Sequence, residues 1–584
     1  MKNDAIIGAS RREKQFVALF FLLLWTYLII RACNVFYIHD EIVTKWTYMV
    51  NWNFLPGSGY IDANNHFLTS FFGGLFLRLF NSDAMLIIRL SSILSFPLFF
   101  WSIVGMRSFF RNRVNYCALL TGLTCTAFLL EYFAFARGYG MSFAFLVAAM
   151  LQMMKFFRTS HKAALILATI LWSLAICANL TLLPFGSAAA GLMLIFAIKN
   201  RMKFWIFIPL IVVLPLAYLV NYSFLLQDLG KLYSGGEEGF FVTTIHTLTP
   251  YIWGVKNAAL DIVLVLVTLF IGFRLLQVYW KERIIFDPKT FFALFLFLAI
   301  GNILAQHLIL GINYPSDRTA LYLYIFFVGA LVFTIDHATK SVFYSLVYSA
   351  LTLIIFLIHF NIDYSILHKW EHIDEKLVSL IPDEIRGTPP TTGGRWAMEN
   401  EMNRTLGLPV RMFQVVNSEY DTLVDYMVYT IARRPDIYKW YHPVYTEEVS
   451  GQTLFERNHF LSRTKTYKLE RGLYGNDEFF SIESASFSSP KLVRISGQMN
   501  ELTPQSDMHF VFSTKDTVSG EQLTYEAMSL VCNSKIRHDN SIRFDFSYAF
   551  PNVKEANQFD VYLWNPEGGN LSGVIDIEVF RLGD

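Results

Sequence analysis

The triplet His39-Asp40-Glu41 places two adjacent carboxylates about ten residues beyond a long apolar run. Held near a membrane surface, such acids repel each other and are partly desolvated, which raises at least one pKa and suits a general base. The plainer reading is a solvated pair of loop charges. Further on, Asp62-Ala63-Asn64-Asn65-His66 opens a short apolar helix, with Asp62 or Asn64 available to cap it. Ala136-Arg137-Gly138-Tyr139-Gly140 lies between two apolar runs. Its glycines permit a tight turn and close approach of backbone to a ligand, and an arginine at that depth either meets an anion or snorkels to lipid headgroups. Tyr314-Pro315-Ser316-Asp317-Arg318 opens a late helix with Ser316 or Asp317 as N-cap. Arg318 in the first turn opposes the helix dipole, an arrangement that an anion such as phosphate completes, because both the guanidinium and the N-terminal amides bind it.

These residues are positioned by elements that composition identifies as lipid-facing. Of 584 residues, 54% are hydrophobic and mean hydropathy is positive, beyond an ordinary globular chain, so the excess faces lipid. With 48 basic and 47 acidic residues, net charge gives no argument for nucleic acid. A spanning helix needs roughly 20 apolar residues. Candidate cores at 16–30, 90–106, 114–130, 141–154, 163–178, 185–198, 204–220, 258–280, 291–310, 319–335 and 341–360 make about eleven spans. The first follows Arg11, Arg12 and Lys14 without a small-residue cleavage site, and reads as a retained signal anchor. Basic clusters at Arg107/Arg111/Arg113, Lys155/Arg158/Lys162, Lys199/Arg201/Lys203 and Lys281/Arg283/Lys289, with Lys340 near the last turn, then fall on the N-terminal side, which is cytoplasmic. That parity requires 67–80 to lie on the outer surface as an interfacial or re-entrant helix. It leaves the N-terminus inside, everything after 360 outside, and the four motifs on the outer face.

The expected organisation is a membrane domain over 1–360, an α+β connector over 361–475 and a β-sandwich over 476–584. A helical connector (366–385) precedes a Gly/Pro/Thr break (387–394). Then come a strand-like run (412–416) and a helix-like one (420–433). Short alternating runs at 492–496, 509–513, 541–546, 559–564 and 574–580 have the spacing of a sandwich, whose aromatics read as core rather than as a ligand platform. Cys33, Cys117, Cys125 and Cys177 lie in or beside apolar spans, and Cys532 alone falls in the soluble part, which excludes a disulfide or zinc framework there. His246, His307 and His359 have no partners at metal spacing. Gly235-Gly236-Glu237-Glu238-Gly239 is either a lid or a disordered surface loop.

In this order the four motifs resemble the GT-C superfamily of integral-membrane glycosyltransferases, within it the protein-mannosyltransferase and aminoarabinose-transferase branch. The likeness covers about the first 360 residues, and Phe67 stands where proline commonly follows the histidine. It implies a polytopic α-helical membrane domain of about eleven helices. It also implies an inverting transfer of one sugar from a polyprenyl-phosphate carrier to an acceptor hydroxyl of a glycan, lipid or protein at the outer face of a membrane, here a bacterial inner membrane. By the same resemblance Asp40 is the catalytic acid residue with Glu41 as partner or substitute, and Arg318 and Arg137 neutralise the lipid phosphate. Asn65, His66, Tyr139 and Tyr314 contact substrate, and a divalent metal at the acidic site is permitted but not required. The competing class is a transporter or lipid flippase, which usually carries internal repeats and helices broken at the bilayer midplane; no repeat is found. A non-catalytic scaffold displaying its outer domain is the third reading.

Overall fold

The computed structural model describes residues 11–56, 61–82, 84–199, 207–232, 235–282, 287, 290–338, 341–394, 413–414, 421–430, 435–486, 488–500, 508–530, 541–550, 557–566 and 568–583. Cys532, Arg201, Lys203, Arg283, Lys289 and Lys340 lie outside them. The helices are α1 (Arg11–Asn34), α2 (His39–Val43), α3 (Phe67–Phe80), α4 (Met85–Gly105), α5 (Arg113–Thr124), α6 (Ala127–Glu131), α7 (Gly138–Thr159), α8 (Lys162–Ala178), α9 (Leu183–Lys199), α10 (Phe207–Asp228), α11 (His246–Trp253), α12 (Ala258–Glu282), α13 (Phe291–Leu310), α14 (Leu321–Ala338), α15 (Phe343–Ile358) and α16 (Glu375–Ser379). The chain divides into two compact units. One comprises Met1–Val35, Asn53–Leu79 and Ala84–Leu367; the other comprises Phe36–Trp52, Phe80–Asp83 and His368–Asp584.

The first unit is helical. Arg11–Asn34, Met85–Phe109, Gly138–Thr159, Ala258–Glu282, Phe291–Leu310 and Asp317–Ala338 are long and apolar enough to cross a membrane, and Phe67–Phe80, Lys162–Ala178, Leu180–Phe196 and Phe343–Ile358 are shorter apolar helices. The chain is an integral membrane protein. α7 packs on α4 and α8 and is buried along most of its length, with Ala144, Ala148 and Ala149 letting its neighbours approach. On the outside, Phe16, Leu19 and Leu23 of α1, Leu266, Leu269 and Phe273 of α12, and Leu357 and Ile358 of α15 are more than half exposed. Such continuous apolar faces are what hydrocarbon covers.

The expected span 114–130 is interrupted. α5 stops at Thr124 and α6 restarts after Thr126, whose backbone is extended. The Thr126 hydroxyl bonds Gly122 O at 2.8 Å and the Tyr324 hydroxyl at 2.8 Å, so side chains take up the polar groups that the break frees.

The second unit carries the strands β1 (Thr392–Gly393), β2 (Phe413–Gln414), β3 (Tyr426–Thr430), β4 (Tyr441–Thr446), β5 (Gln452–Arg457), β6 (Ser462–Gly475), β7 (Phe479–Ser486), β8 (Lys491–Asn500), β9 (Met508–Lys515), β10 (Gln522–Leu530), β11 (Ile542–Phe550), β12 (Gln558–Trp564) and β13 (Leu571–Gly583). A mixed sheet runs β2-β1-β3-β5-β4, and two four-stranded sheets run β10-β9-β12-β7 and β11-β8-β13-β6. The latter two share one core, in which Phe510 of β9 meets Phe544 and Phe546 of β11, each at 5.3 Å between ring centroids. The five alternating runs after 491 are all strands. The helix-like segment 420–433 is not a helix where it is described: it forms a 3-10 turn, Asp421–Leu423, and β3, because Tyr426, Val428, Tyr429 and Thr430 favour a pleated surface paired to β5. The connector holds only a 3-10 turn, Lys369–Glu371, and α16.

Candidate active site

Within the first unit the motif 62–66 folds onto the motif 136–140. Asp62 accepts from the Asn64 amide at 2.8 Å, and Asn65 accepts from the Ser70 hydroxyl at 3.0 Å while its amide reaches Phe54 O at 3.3 Å. These bonds fix the entry to α3. The His66 Nδ1 lies 3.1 Å from Ala178 O, and its ring packs edge-on to Tyr139 at 5.2 Å. Gly138 makes that possible, since a Cβ there would overlap Ala178 O and press within 2.5 Å of His66 Nδ1. Arg137 is almost wholly buried, donates to Asn64 Oδ1 and lies 6.0 Å from the Tyr139 ring. Its guanidinium thus meets a side-chain carbonyl of the protein.

The motif 314–318 is held by the segment before it. Tyr314 and Gly236 exchange backbone hydrogen bonds at 3.0 and 3.2 Å, so Gly236 pairs as a β-bridge instead of belonging to a disordered loop. Tyr314 is buried and stacks on His307 at 4.0 Å. The Thr244 hydroxyl donates to Pro315 O at 2.7 Å, and the Asp317 amide donates to the Thr247 hydroxyl at 2.8 Å. Ser316 caps the 3-10 turn Asp317–Ala320 with Thr319 completing a reciprocal box, as the sequence anticipates. Asp317 adopts φ +47, a left-handed conformation unfavourable for a residue with a Cβ. Arg318 follows on that strained turn, half-buried, and acts electrostatically on Tyr132 and Tyr251. Tyr132 in turn packs on Tyr139 at 4.8 Å. Tyr139 therefore joins the two groups: Asn64, His66 and Arg137 on one side, Tyr132, Tyr251 and Arg318 on the other. Tyr314 braces the turn and is engaged with His307.

The acid pair belongs to the second unit. His39 is exposed, Asp40 half-buried and Glu41 fully buried. The His39 amide donates to Glu371 Oε2 at 2.6 Å and the Thr44 hydroxyl to Asp40 O at 2.8 Å. Glu41 Oε2 is 3.4 Å from the Ile38 amide, closing the first turn of α2. One turn on, Lys45 is also fully buried, 4.9 Å from the Tyr37 ring and 4.8 Å from that of Trp46. Of the two acids, Asp40 is the less buried. Among the described residues no group of three or more His, Cys, Asp or Glu side chains that could hold a metal ion is found.

Sequence reasoning missed three features. Glu131 is fully buried, accepting from Arg31 at 2.6 Å and from the amides of Ile366 at 2.7 Å and Leu367 at 3.1 Å; a charge inside an apolar run was the available signal. Tyr132 and Tyr251 belong to no motif. His246 Nδ1 lies 2.6 Å from Oδ2 of the buried Asp261, a pair that a separation of fifteen positions conceals.

No protein-family model and no curated protein matches the chain. Among solved structures it is similar to ArnT from Cupriavidus metallidurans bound to undecaprenyl phosphate, at 10% identity and TM-score 0.44 over 76% of this chain and 98% of that one. The same enzyme in its apo state gives 12% identity and TM-score 0.44 over the same shares. The arabinosyltransferase EmbB from Mycobacterium smegmatis is similar at 9% identity and TM-score 0.36, over 100% of this chain and 66% of that one.

Proposed function

We propose that the chain is an inverting glycosyltransferase of the GT-C type that moves one sugar from a polyprenyl-phosphate carrier to an acceptor hydroxyl at the outer face of a bacterial inner membrane. The N-terminus is then cytoplasmic and the C-terminal strands extracytoplasmic. One observation carries the reading: a lipid-embedded helical unit holds Arg318 on a strained, capped turn among tyrosines, the donor-rich environment an anionic headgroup requires. In the reaction the acceptor oxygen attacks the anomeric carbon and its proton passes to the Asp40 carboxylate. The bond from that carbon to the phosphate oxygen breaks, and polyprenyl phosphate departs with the electron pair. Arg318 stabilises the charge that develops there, usually the largest catalytic contribution. Arg137 supports it through Tyr139 and Asn64, Glu41 fixes the turn that presents Asp40, and Asn65, His66, Tyr139 and Tyr314 shape the substrate site.

As acceptor we propose a glycan. Outward positions of the sheet β10-β9-β12-β7 carry a row of rings contrary to a purely internal role for these aromatics: Phe479 lies near-parallel to Trp564 at 6.5 Å, Tyr562 is 5.9 Å from Phe479, and His509 is 5.3 Å from Trp564. Beyond them Asp560 is neutralised by Lys515 at 3.0 Å and bonded by Ser484 and Gln558. A face that is aromatic at one end and hydroxyl- and amide-bearing at the other suits a sugar. A lipid flippase is the second reading, favoured by the break between α5 and α6.

The test is release of polyprenyl phosphate from a polyprenyl-phosphate sugar by protein in nanodiscs given oligosaccharide acceptor. Asp40→Asn should abolish transfer and keep donor binding. Arg318→Ala should weaken donor binding by roughly tenfold or more, the scale of a hydrogen bond to a charged group. Trp564→Ala should raise the acceptor KM about fivefold, as truncation of an anchoring ring does. Full transfer by Asp40→Asn with Glu41 also changed sinks the assignment, and translocation without sugar transfer selects the flippase.

A further inference from the structure

We infer that the hydrogen bond between His246 and Asp261 positions the turn that carries Arg318, an inference that rests on the glycosyltransferase reading and gives a role to a pair that no motif marks. Asp261 is fully buried, and its Oδ2 lies 2.6 Å from His246 Nδ1. An ionised carboxylate only accepts, so Nδ1 carries the proton and the imidazole is held in one orientation. The other oxygen, Oδ1, has no hydrogen-bond partner among the described residues. His246 is therefore the one side chain among them that bonds this carboxylate.

Side-chain bonds lead from this pair to the turn. Asp261 lies in the first turn of α12, where the Asn257 side chain accepts the Ala259 amide at 2.8 Å and the Asn257 carbonyl accepts the Asp261 amide at 3.2 Å. That end of α12 is thus fixed, and its positive pole favours the carboxylate. His246 opens α11. Two positions before it, the Thr244 hydroxyl donates to Pro315 O at 2.7 Å. One position after it, the Thr247 hydroxyl donates to Thr243 O at 2.6 Å, which leaves its oxygen to accept the Asp317 amide at 2.8 Å. The backbone on which Arg318 stands is therefore bonded to the same short segment that His246 ties to α12.

That segment needs such a tie. α11 has eight residues, contains Pro250 and follows a π-helical stretch, Phe241–Ile245. A helix so short is marginal by itself and takes its orientation from tertiary contacts. A hydrogen bond to a fully buried carboxylate is strengthened by the low local dielectric, and moving His246 away from Asp261 would strand a buried charge. The pair thus resists any shift of α11 that would carry Thr244 and Thr247 away from Pro315 and Asp317. His246 acts on Arg318 through Thr247 and Asp317, as a positioning residue and not as a ligand.

The experiment compares wild type, His246→Ala, His246→Asn, Arg318→Ala and His246→Ala/Arg318→Ala in nanodiscs by native mass spectrometry, with undecaprenyl phosphate and undecaprenol as probes. Melting temperature, donor KM and kcat are measured in parallel. His246→Ala is expected to bind undecaprenyl phosphate about fivefold more weakly, within the range of one net hydrogen bond, and to bind undecaprenol as wild type does. His246→Asn, whose amide nitrogen takes the place of Nδ1, should restore phosphate affinity. Adding His246→Ala to Arg318→Ala should weaken binding no further, since a residue that acts through another is not additive with it. Unchanged phosphate affinity in His246→Ala, or equal losses for both lipids, overturns the inference in favour of packing. Failure of His246→Asn to restore affinity, or an additive loss in the double variant, overturns it by showing that the ring acts on its own. If His246→Ala does not fold, His246→Ala/Asp261→Ala, which strands no buried charge, replaces it with the same expectations, and loss of the fold in both overturns the inference in favour of packing. Failure of wild type to bind the phosphate or transfer sugar removes the underlying reading itself.

Discussion

At Asp317 one residue departs from its preferred backbone while its neighbours are over-determined. The turn is closed by Ser316 and Thr319, tied to Thr247 through the Asp317 amide, and immediately followed by Arg318. A left-handed conformation at a non-glycine residue stores about 1 to 3 kcal/mol and persists where the surroundings enforce it, commonly at functional sites. Asp317→Gly removes the strain and also loosens the turn. The expected outcome is a higher melting temperature together with a several-fold rise in donor KM; a higher melting temperature with unchanged kinetics would show that the strain does not aim Arg318. Part of the local structure at this scale was legible: residue type offered Ser316 or Asp317 as the cap, and the structure uses Ser316. Tyr132 was not, because a phenol inside an apolar run is ordinary until its packing on Tyr139 is seen, and the φ of Asp317 has no signature in a residue that frequents turns anyway.

Glu131 ends α6 and fastens two other stretches of the first unit to it. Arg31, at the end of α1, donates to Glu131 and also to Asn361 O at 2.6 Å and Tyr364 O at 3.1 Å. The carboxylate accepts the amides of Ile366 and Leu367 besides. The pair is fully buried. Desolvation makes such a pair a modest net contributor, yet removing one partner strands the other charge and costs about 3 to 5 kcal/mol. Glu131→Ala should therefore lower the melting temperature strongly, with Arg31→Met/Glu131→Leu recovering part of the loss. A single variant as stable as wild type would mean that water or lipid headgroup reaches Arg31. Helix positions were readable from apolar run lengths because lipid imposes them. The α5–α6 break was not, since Cys125-Thr126 contains neither glycine nor proline and is stabilised from the distant Tyr324.

Across the whole chain, the alternating runs after 491 announced strands, whereas the grouping of 36–52 with C-terminal residues had no local sign: the Glu371 that holds His39 lies more than three hundred positions away. The second unit also carries a charge pattern with a consequence for acid. Burial pushes Glu447 up, but the Ser450 amide and hydroxyl and the Val449 amide outweigh it and hold the carboxyl below its ordinary 4.5. The amide of Val518 and the Ser519 hydroxyl hold Asp516 below 3.8. Burial raises Asp560 while the Ser484 hydroxyl, Lys515 and Gln558 lower it further than that, and the Lys465 ammonium, then Arg494, depress Glu578 against its burial. Each group is more acidic folded than unfolded, so each stabilises the unit fully above its ordinary value and ceases to as pH falls through the lower native one. Hydrogen exchange corrected for intrinsic rates should thus show peptides of β4–β5 and β12–β13 protected at pH 6 and losing protection below about pH 4, where unfolded carboxyls begin to take up protons that the folded ones still refuse. Glu447→Gln should flatten that slope around β4–β5 while leaving β12–β13 unchanged, because the two regions draw on separate carboxylates. Protection that stays constant from pH 6 to pH 3 in both regions would mean that these hydrogen-bonded carboxylates add nothing to folding, and that the shared aromatic core between the sheets holds the unit alone.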